Sequence, residues 1–272
     1  MVSPRENIAP CDPIWSQLRE QAQTITLREP AMAGFVYDTI LQHERLEQAL
    51  SYHLSRKLGA EDLGQLAVRV IIDEAMAADP QIGAAVRADL SAVFERDPAC
   101  HSHADAFLFF KGFLALQCHR IAHWLWQHDR RTTALFLQSR VSERFAVDIH
   151  PAARMGRGIM IDHATGVVIG ETAVVEDDVS IMQGVTLGGT GKEEGDRHPK
   201  IRRGSLISLG AKILGNIEIG EYSRVGAGSV VLKSVPAHCT AVGVPAKLVN
   251  CDCGERPSQQ MNHIIEEPGN TG

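Results

Sequence analysis

Residues 201–231 read IRRGSLISLGAKILGNIEIGEYSRVGAGSVV, and every sixth position is aliphatic: Ile201, Ile207, Ile213, Ile219, Val225 and Val231. The beat begins earlier, at Ile149, Met155 and Ile161. After a slip of two residues it resumes at Ile169, Val175, Ile181 and Leu187. Four places after a beat the residue is mostly small or β-branched: Ala153, Thr165, Ala173, Val179, Val185, Ser205, Ala211, Ser223 and Ser229. A period of six fits neither the 3.6 of a helix nor the alternation of a lone strand. It is the signature of a parallel β-helix, in which each hexad makes one flat face and one corner of a triangular prism. The aliphatic residue points inward and the small one lies near the corner. A following glycine (Gly156, Gly170, Gly220, Gly226) lets the chain turn. Stacked coils lie at the usual strand spacing of roughly 4.8 Å.

The coil is only part of the chain. Thirteen of the fourteen aromatic residues lie at or before Phe145, whereas nineteen of the twenty-four glycines follow Ile149. Such a switch in composition places a domain boundary near Ala146. The first part reads as helices. Leu46, Leu50, Leu54 and Leu58 form a four-spaced stripe that stops at Gly59. Asp62 is positioned to cap a helix carrying Leu63, Leu66 and Val70. Asp79-Pro80 and Asp97-Pro98 punctuate the stretch beyond it. Residues 104–128 read as one long apolar helix, and 132–145 as another that leads into the coil. This material is more apolar than a solvated bundle of its size needs, so burial against another subunit is expected; a self-contained cap on the solenoid is the alternative. The expected organisation is a helical oligomerisation domain over 1–146, the coil over 147–250 and a flexible tail over 251–272.

Composition bounds the function class. A formal charge of −6 argues against a nucleic-acid footprint. No run of apolar residues is long enough for a membrane span, and residues 1–13 lack a secretory layout. The six cysteines are sparse and irregularly spaced, which fits a reducing cytoplasm. Cys251 and Cys253 read as incidental tail thiols, because no second pair accompanies them.

The beat breaks between Leu187 and Ile201 for the polar stretch GGTGKEEGDRHPK. A loop extruded from one face of a solenoid usually serves binding. It is not a phosphate-binding P-loop, since Gly191-Lys192 is followed by Glu193. Of the twelve histidines, His119 and His123 sit one helical turn apart and read as packed side chains. His163, in IDHATG, stands out. Asp148 precedes it by fifteen residues, near one coil of eighteen, so a carboxylate on a neighbouring rung can orient the imidazole as a base. A corner histidine bonded to backbone is the competing reading.

The segments DIHPAA (148–153), DHATG (162–166), GETAV (170–174), TLGGTGK (186–192) and DRHPK (196–200) resemble the serine O-acetyltransferases. So do RDPAC (96–100) and KGFLALQCHRIAHWLW (111–126) in the helical part. The resemblance covers about Leu46 to Asn250. It implies an α+β chain: an N-terminal all-α domain followed by a left-handed parallel β-helix with an extruded loop. It implies acetyl transfer from acetyl-CoA to the L-serine hydroxyl, the first step of cysteine biosynthesis, in clefts between the subunits of a homotrimer or a dimer of trimers. His163 is then the general base and Asp148 its orienting partner. His198 and Arg197 hold the serine carboxylate, and Asp162 with Asp97 the ammonium. Gly189, Thr190, Ala211 and Ala227 line the acetyl-CoA path, and a backbone N–H near Gly188, Gly189 or Thr190 meets the oxyanion. No metal is implied. L-cysteine is the implied feedback inhibitor, and the cytoplasm the implied location.

Two departures stand out. The family often has a small residue where Leu209 stands. Many bacterial relatives end in an isoleucine that docks into O-acetylserine sulfhydrylase, whereas these residues end Pro268-Gly269-Asn270-Thr271-Gly272, so the resemblance leaves O-acetylserine sulfhydrylase an open partner. The rival readings are an acetyltransferase acting on homoserine, a sugar or another alcohol; a zinc enzyme of the carbonic anhydrase type using His150, His163 and His198; and an inactive scaffold.

Overall fold

The computed structural model describes residues 12–191, 194–251 and 256–263. Its N-terminal part is helical: α1 (Pro13–Arg28), α2 (Ala33–Val36), α3 (Leu46–Leu58), α4 (Gln65–Ala78), α5 (Pro80–Arg96), α6 (His103–Phe109), α7 (Lys111–Gln127) and α8 (Arg131–Phe145). Local chemistry sets the starts of α1 and α5. Asp12 and Asp79 accept hydrogen bonds from the backbone N–H groups of Trp15 (3.2 Å) and Gln81 (2.9 Å), each just ahead of a proline that begins the helix. The Leu46, Leu50, Leu54, Leu58 stripe of α3 is buried and stops at Gly59, as its spacing predicts.

Two helical expectations fail. α4 begins at Gln65 after Gly64, not from Asp62. It turns Val68, Ile71, Ile72 and Ala75 inward and leaves Leu66 and Val70 exposed. The competing stripe at three- and four-residue spacing is the fuller one, and it takes the core. The helix expected over 104–128 is broken into α6 and α7 by extended backbone at Phe110 (φ −80°, ψ 104°). The reason is a close approach. A Cβ on Gly112 would lie 1.9 Å from the Ile161 carbonyl oxygen, so the start of α7 has to be set down directly on the coil.

The coil is a prism of parallel strands with three faces. Face A stacks β1 (Val147–Ile149), β4 (Val167–Ile169), β7 (Thr186–Gly188), β10 (Lys212–Leu214) and β13 (Val230–Val231). Face B stacks β2 (Arg154–Met155), β5 (Val174–Val175), β8 (Lys200–Ile201) and β11 (Glu218–Ile219). Face C stacks β3 (Met160–Ile161), β6 (Ser180–Ile181), β9 (Leu206–Ile207) and β12 (Arg224–Val225), then β14 (Cys239–Gly243) and β15 (Ala246–Cys251). The six-residue beat is the register: Ile149 pairs with Ile169, Ile161 with Ile181, Ile181 with Ile207, Ile207 with Val225. Every beat residue is buried except Met155, which is partly covered where it meets the helices. Thr165 breaks the small-residue rule and is exposed, because two additional residues swell its corner and Ala164 turns inward instead.

The two parts are joined by a buried polar cluster. Asp89 of α5, fully buried, accepts from Arg120 Nε (3.0 Å) and Nη2 (2.7 Å), Gln117 Nε2 (3.0 Å) and the Ile159 N–H (3.0 Å). Arg120 also donates to the Gly156 carbonyl at 2.6 Å. One carboxylate thus ties α5, α7 and the start of the coil together.

The end of the chain departs from the expected tail. β15 folds back antiparallel on β14, and Cys251 is no incidental thiol: it forms a disulfide with Cys239. Cys253 lies outside the described residues. Beyond it, Pro257–Gln260 form α9, and Ser258 and Pro257 are buried against the coil. Residues 264–272 lie outside the described ones. No helix among the described residues is long and apolar enough to cross a membrane.

Several histidines are buried inside this framework, and burial pushes their imidazoles below the usual range; that of His53 falls to about 4. A group that stays neutral in the folded chain but takes a proton when unfolded stabilises fully above about pH 6.5. That contribution is lost as pH falls toward 4. For His53 the shift corresponds to about 3 kcal/mol. Urea midpoints measured between pH 7 and 4 should therefore fall steadily. In His53→Gln, which keeps an N–H for the Leu108 carbonyl, the slope should be shallower.

Candidate active site

The chemistry-bearing residues collect at two corners of the prism. Both corners sit where a coil departs from eighteen residues. The first coil has twenty, since Ile149 pairs with Ile169, and the surplus lies in residues 162–166 between faces C and A. The next has twenty-six between Val175 and Ile201, and the surplus is the loop 189–199 between faces A and B.

At the C–A corner His163 and Ala164 both adopt left-handed backbone (φ 52° and 59°), followed by Gly166 at 76°. Consecutive non-glycine residues in this region cost about 1–2 kcal/mol each, and such strain concentrates at functional sites. The result lifts the imidazole clear of the surface, with its side chain 73% exposed. Directly along the same edge the left-handed glycines Gly184, Gly210 and Gly228 stack on one another. Lys111 Nζ, at the start of α7, donates to Thr165 Oγ1 and braces the corner from the helical side.

One carboxylate faces this histidine, and a second stands near the first. Asp162 Oδ2 is 3.7 Å from His163 Nε2 and its side chain is largely covered. Burial pushes the Asp162 carboxyl up; His163 opposes that, and the nearby Asp97 carboxylate adds to it. By local signals alone Asp97, ahead of Pro98, reads as a helix start, but it does not start a helix. It ends α5, where its Oδ1 accepts from the Ala99 N–H at 2.8 Å. Two carboxylates far apart in sequence are thus brought to one spot by the docking of α5 on the coil.

The A–B corner carries His198 and Arg197. His198 is buried, and Nδ1 receives the Thr172 N–H at 3.2 Å and lies 2.9 Å from Thr172 Oγ1. Its single proton in the neutral ring therefore sits on Nε2. Burial, then the Arg197 cation, push it below the usual imidazole range. Gly170 is required here, because a Cβ would lie 2.0 Å from the His198 ring. Arg197 pairs with Glu171 at 2.7 Å, which holds Glu171 below the usual carboxylate range. Thr172 Oγ1 also accepts from the N–H groups of Arg197 (3.0 Å) and His198 (3.1 Å), so one hydroxyl organises the loop's exit.

The expected pairing of Asp148 with His163 is not a direct contact. The carboxylate within 4 Å of His163 is that of Asp162. Asp148 points outward from face A into an open cleft of about 570 Å³ beside α8, and accepts from Gln138 Nε2 at 2.6 Å. The coil length explains the difference: with twenty residues in this turn, the rung partner of Asp148 is Val168. The residues expected along an acyl-carrier path also divide between corners. Gly189 and Thr190 lie at the A–B corner, with Thr190 packed over Gly215. Ala227 is exposed at the C–A corner in the next coil after Leu209, whereas the Ala211 side chain is buried inside the coil and has none to offer. Face A, a strand of three residues spanning roughly 10 Å, separates the two corners. In a single chain His163 and His198 cannot reach one small substrate.

Lys111, Glu171 and Thr172 complete the two corners, Gln138 holds Asp148 on face A, and spacing alone does not single them out. Glu171 and Thr172 lie within the GETAV segment. Nothing in the helical pattern marks Gln138. Among the described residues no group of three or more His, Cys, Asp or Glu side chains is placed to hold a metal ion. His150 and His198 share the A–B corner, and His163 lies across face A from them.

Comparison with known proteins bears on this geometry. A family described as "Serine acetyltransferase, N-terminal" matches residues 14–118. The Escherichia coli K12 serine acetyltransferase is 54% identical over 260 residues, covering 93% of this chain and 95% of that protein. A solved structure of a serine acetyltransferase in complex with cysteine is 50% identical, with a TM-score of 0.92, and covers 93% of this chain and 98% of its own. The Brucella abortus serine acetyltransferase in complex with coenzyme A is 51% identical, with a TM-score of 0.87, over 89% and 98% of the two chains.

If Thr172 organises the A–B corner, Thr172→Val should cost about 1–3 kcal/mol of stability through unsatisfied donors, read from urea midpoints. Gly170→Ala should displace the His198 ring, seen as a shift of its ring-proton resonances; an unmoved ring would contradict the packing described.

Proposed function

This chain belongs to the serine acetyltransferase family and is an acyltransferase, and from that premise we propose that it moves the acetyl group of acetyl-CoA onto the hydroxyl of L-serine. The observation that carries the reading is the C–A corner: an exposed imidazole on strained backbone, the Asp162 carboxylate beside it and Asp97 near Asp162. A zwitterionic amino acid drawn from water needs opposite charges at its two ends. Asp162 and Asp97 supply the negative end and receive the ammonium. Arg197, whose guanidinium has donors beyond its bond to Glu171, and the Nε2–H of His198 supply the carboxylate end. Because face A separates these groups in one chain, the site is completed between two copies, the C–A corner of one facing the A–B corner of the next. A trimer or a pair of trimers satisfies this, and exposed apolar side chains such as Leu66 and Val70 give the helical domain surface to bury.

In the proposed reaction His163 takes the proton from the serine hydroxyl as its oxygen attacks the thioester carbon. The tetrahedral oxyanion is met by backbone N–H groups at Gly188, Gly189 or Thr190, a kind of donor worth about 3 kcal/mol. Collapse expels coenzyme A, which takes the proton back from the imidazolium as a thiol. No covalent acyl-enzyme forms. Asp148, held by Gln138, orients the imidazole across the crevice. The coenzyme A complex of the Brucella abortus relative supports the donor, and the cysteine complex of another relative supports cysteine as an inhibitor that competes for the serine site. The domain division proposed is a helical assembly unit over 1–146 and a catalytic coil over 147–250.

Coupled measurement of thiol release from acetyl-CoA tests this. Serine should be the preferred acceptor over homoserine and a sugar, with activity unaffected by a chelator. His163→Ala should lower kcat about 10²–10⁴-fold. Asp148→Asn should lower kcat with little change in the KM for serine, while Asp97→Asn and Arg197→Met should act mainly on that KM. A folded protein inert toward serine but active on another alcohol would overturn the assignment.

A further inference from the structure

The hairpin that closes the coil has an unusual construction. β15 is the outermost strand, and its residues are exposed or half-exposed throughout. It is held by its ladder to β14 and by one covalent bond, Cys239–Cys251, joining directly opposed residues with Cα atoms 4.0 Å apart. The turn lies at residues 243–246, so the disulfide sits at the open end, where a two-stranded hairpin frays first. The ladder also loses register between Thr240 and Ala241, next to the bond, which weakens that end further. The bond is reachable from one side. Cys239 is buried, whereas Cys251 is exposed. The other described cysteines are shielded: burial pushes the Cys100 thiol up to about 11 and raises Cys118 further.

The segment after β15 gives the bond a consequence. Residues 256–263 lie along face C toward the C–A corner. Ser180 Oγ donates to the Ser258 carbonyl (2.8 Å), Arg224 Nη1 donates to the Asn262 carbonyl (2.9 Å), and His263 Nδ1 lies 3.0 Å from Ser208 Oγ. His263 is close enough to Asp162 for each to influence the other's proton. Pro257 and Ser258 are also buried and Met261 packs against the core, and the described residue that precedes this segment is Cys251, on the exposed strand.

We propose that Cys239 and Cys251 are a reversible dithiol–disulfide site that sets how firmly residues 256–263 are held along face C. Formation takes two electrons and two protons from the two thiols and delivers them to a small-molecule disulfide, which becomes two thiols. Opening runs in reverse. A small thiolate attacks the exposed Cys251 sulfur, the S–S bond breaks and Cys239 leaves as the thiolate. A second small thiol then releases Cys251 and carries away the small disulfide. The closed form pins the open end of the hairpin, and the opened form lets it fray.

The test uses the full chain equilibrated with oxidised or reduced glutathione, followed by peptide mapping and amide hydrogen exchange. Oxidised glutathione should yield a linked Cys239–Cys251 peptide, and reduced glutathione should remove it. Exchange in β15 and in 256–263 should be about tenfold faster in the reduced protein, with β1 to β13 unchanged. Cys239→Ser should exchange like the reduced form in both reagents, even where glutathione caps Cys251. Three results would overturn the proposal: a link between Cys251 and Cys253 instead, a Cys239–Cys251 bond that neither reagent shifts, or equal exchange of 256–263 in both forms.

Discussion

The contact on which the rest depends is the buried carboxylate of Asp89. It receives four hydrogen bonds from three different residues, and its partner Arg120 continues to the backbone of the first coil. Burial pushes this carboxyl up, and Arg120, Gln117 and the Ile159 N–H pull it back. A buried ion pair is poor evidence of net stability, because desolvation offsets the attraction. What it gives here is position. α5 is fixed at residue 89 onto residues 156–159, and two turns further on α5 ends at Asp97, beside Asp162. Removing either partner would leave an uncompensated charge and free α5 to slide against the coil. The carboxylate pair at the C–A corner exists because the helical part cannot shift in that direction.

The coil supplies the opposite kind of constraint. Isoleucine stacks on isoleucine from rung to rung, and a slip of one residue would turn that column outward. Regularity of this kind leaves little room for chemistry, since every inward side chain is spoken for. The proposed chemistry enters where the regular turn is exceeded. Two additional residues at the C–A corner force His163 and Ala164 into left-handed backbone and expel the imidazole, and eight additional residues at the A–B corner carry Arg197 and His198. The solenoid elsewhere resists deformation, so that both insertions keep their place.

This division explains which features are legible in the sequence. The prism is readable because its period is written once per hexad, and the passage from helix to strand at Ala146 because aromatics and glycines change places there. The slip after Ile161 and the break after Leu187 mark both corners. Asp148 is misplaced by a count of eighteen residues for a turn that holds twenty. Asp97 is reachable only through the RDPAC resemblance, since local signals make it the start of a helix and it ends one. Gln138, Lys111 and the Cys239–Cys251 pair depend on segments that meet only in three dimensions. α4 is ambiguous for a different reason: two apolar stripes compete on it, and the choice belongs to its neighbours.

The two corners also differ in charge, and that difference bears on how an amino acid would be oriented. At the C–A corner Asp162 is desolvated and crowded by Asp97, and His163 and His263 offset this only in part. An arriving ammonium would relieve that deficit directly. At the A–B corner Arg197 is already neutralised by Glu171, and His198 is held neutral by burial and by Thr172 donating to Nδ1. A carboxylate there meets oriented donors more than net positive charge. Recognition in the proposed site would then be graded: the ammonium end would gain most from charge, and the carboxylate end most from geometry. An acceptor with a hydroxyl but no ammonium would leave the crowding of Asp162 by Asp97 unrelieved. For this reason the corner geometry favours an amino acid over a sugar, independently of any likeness to known proteins.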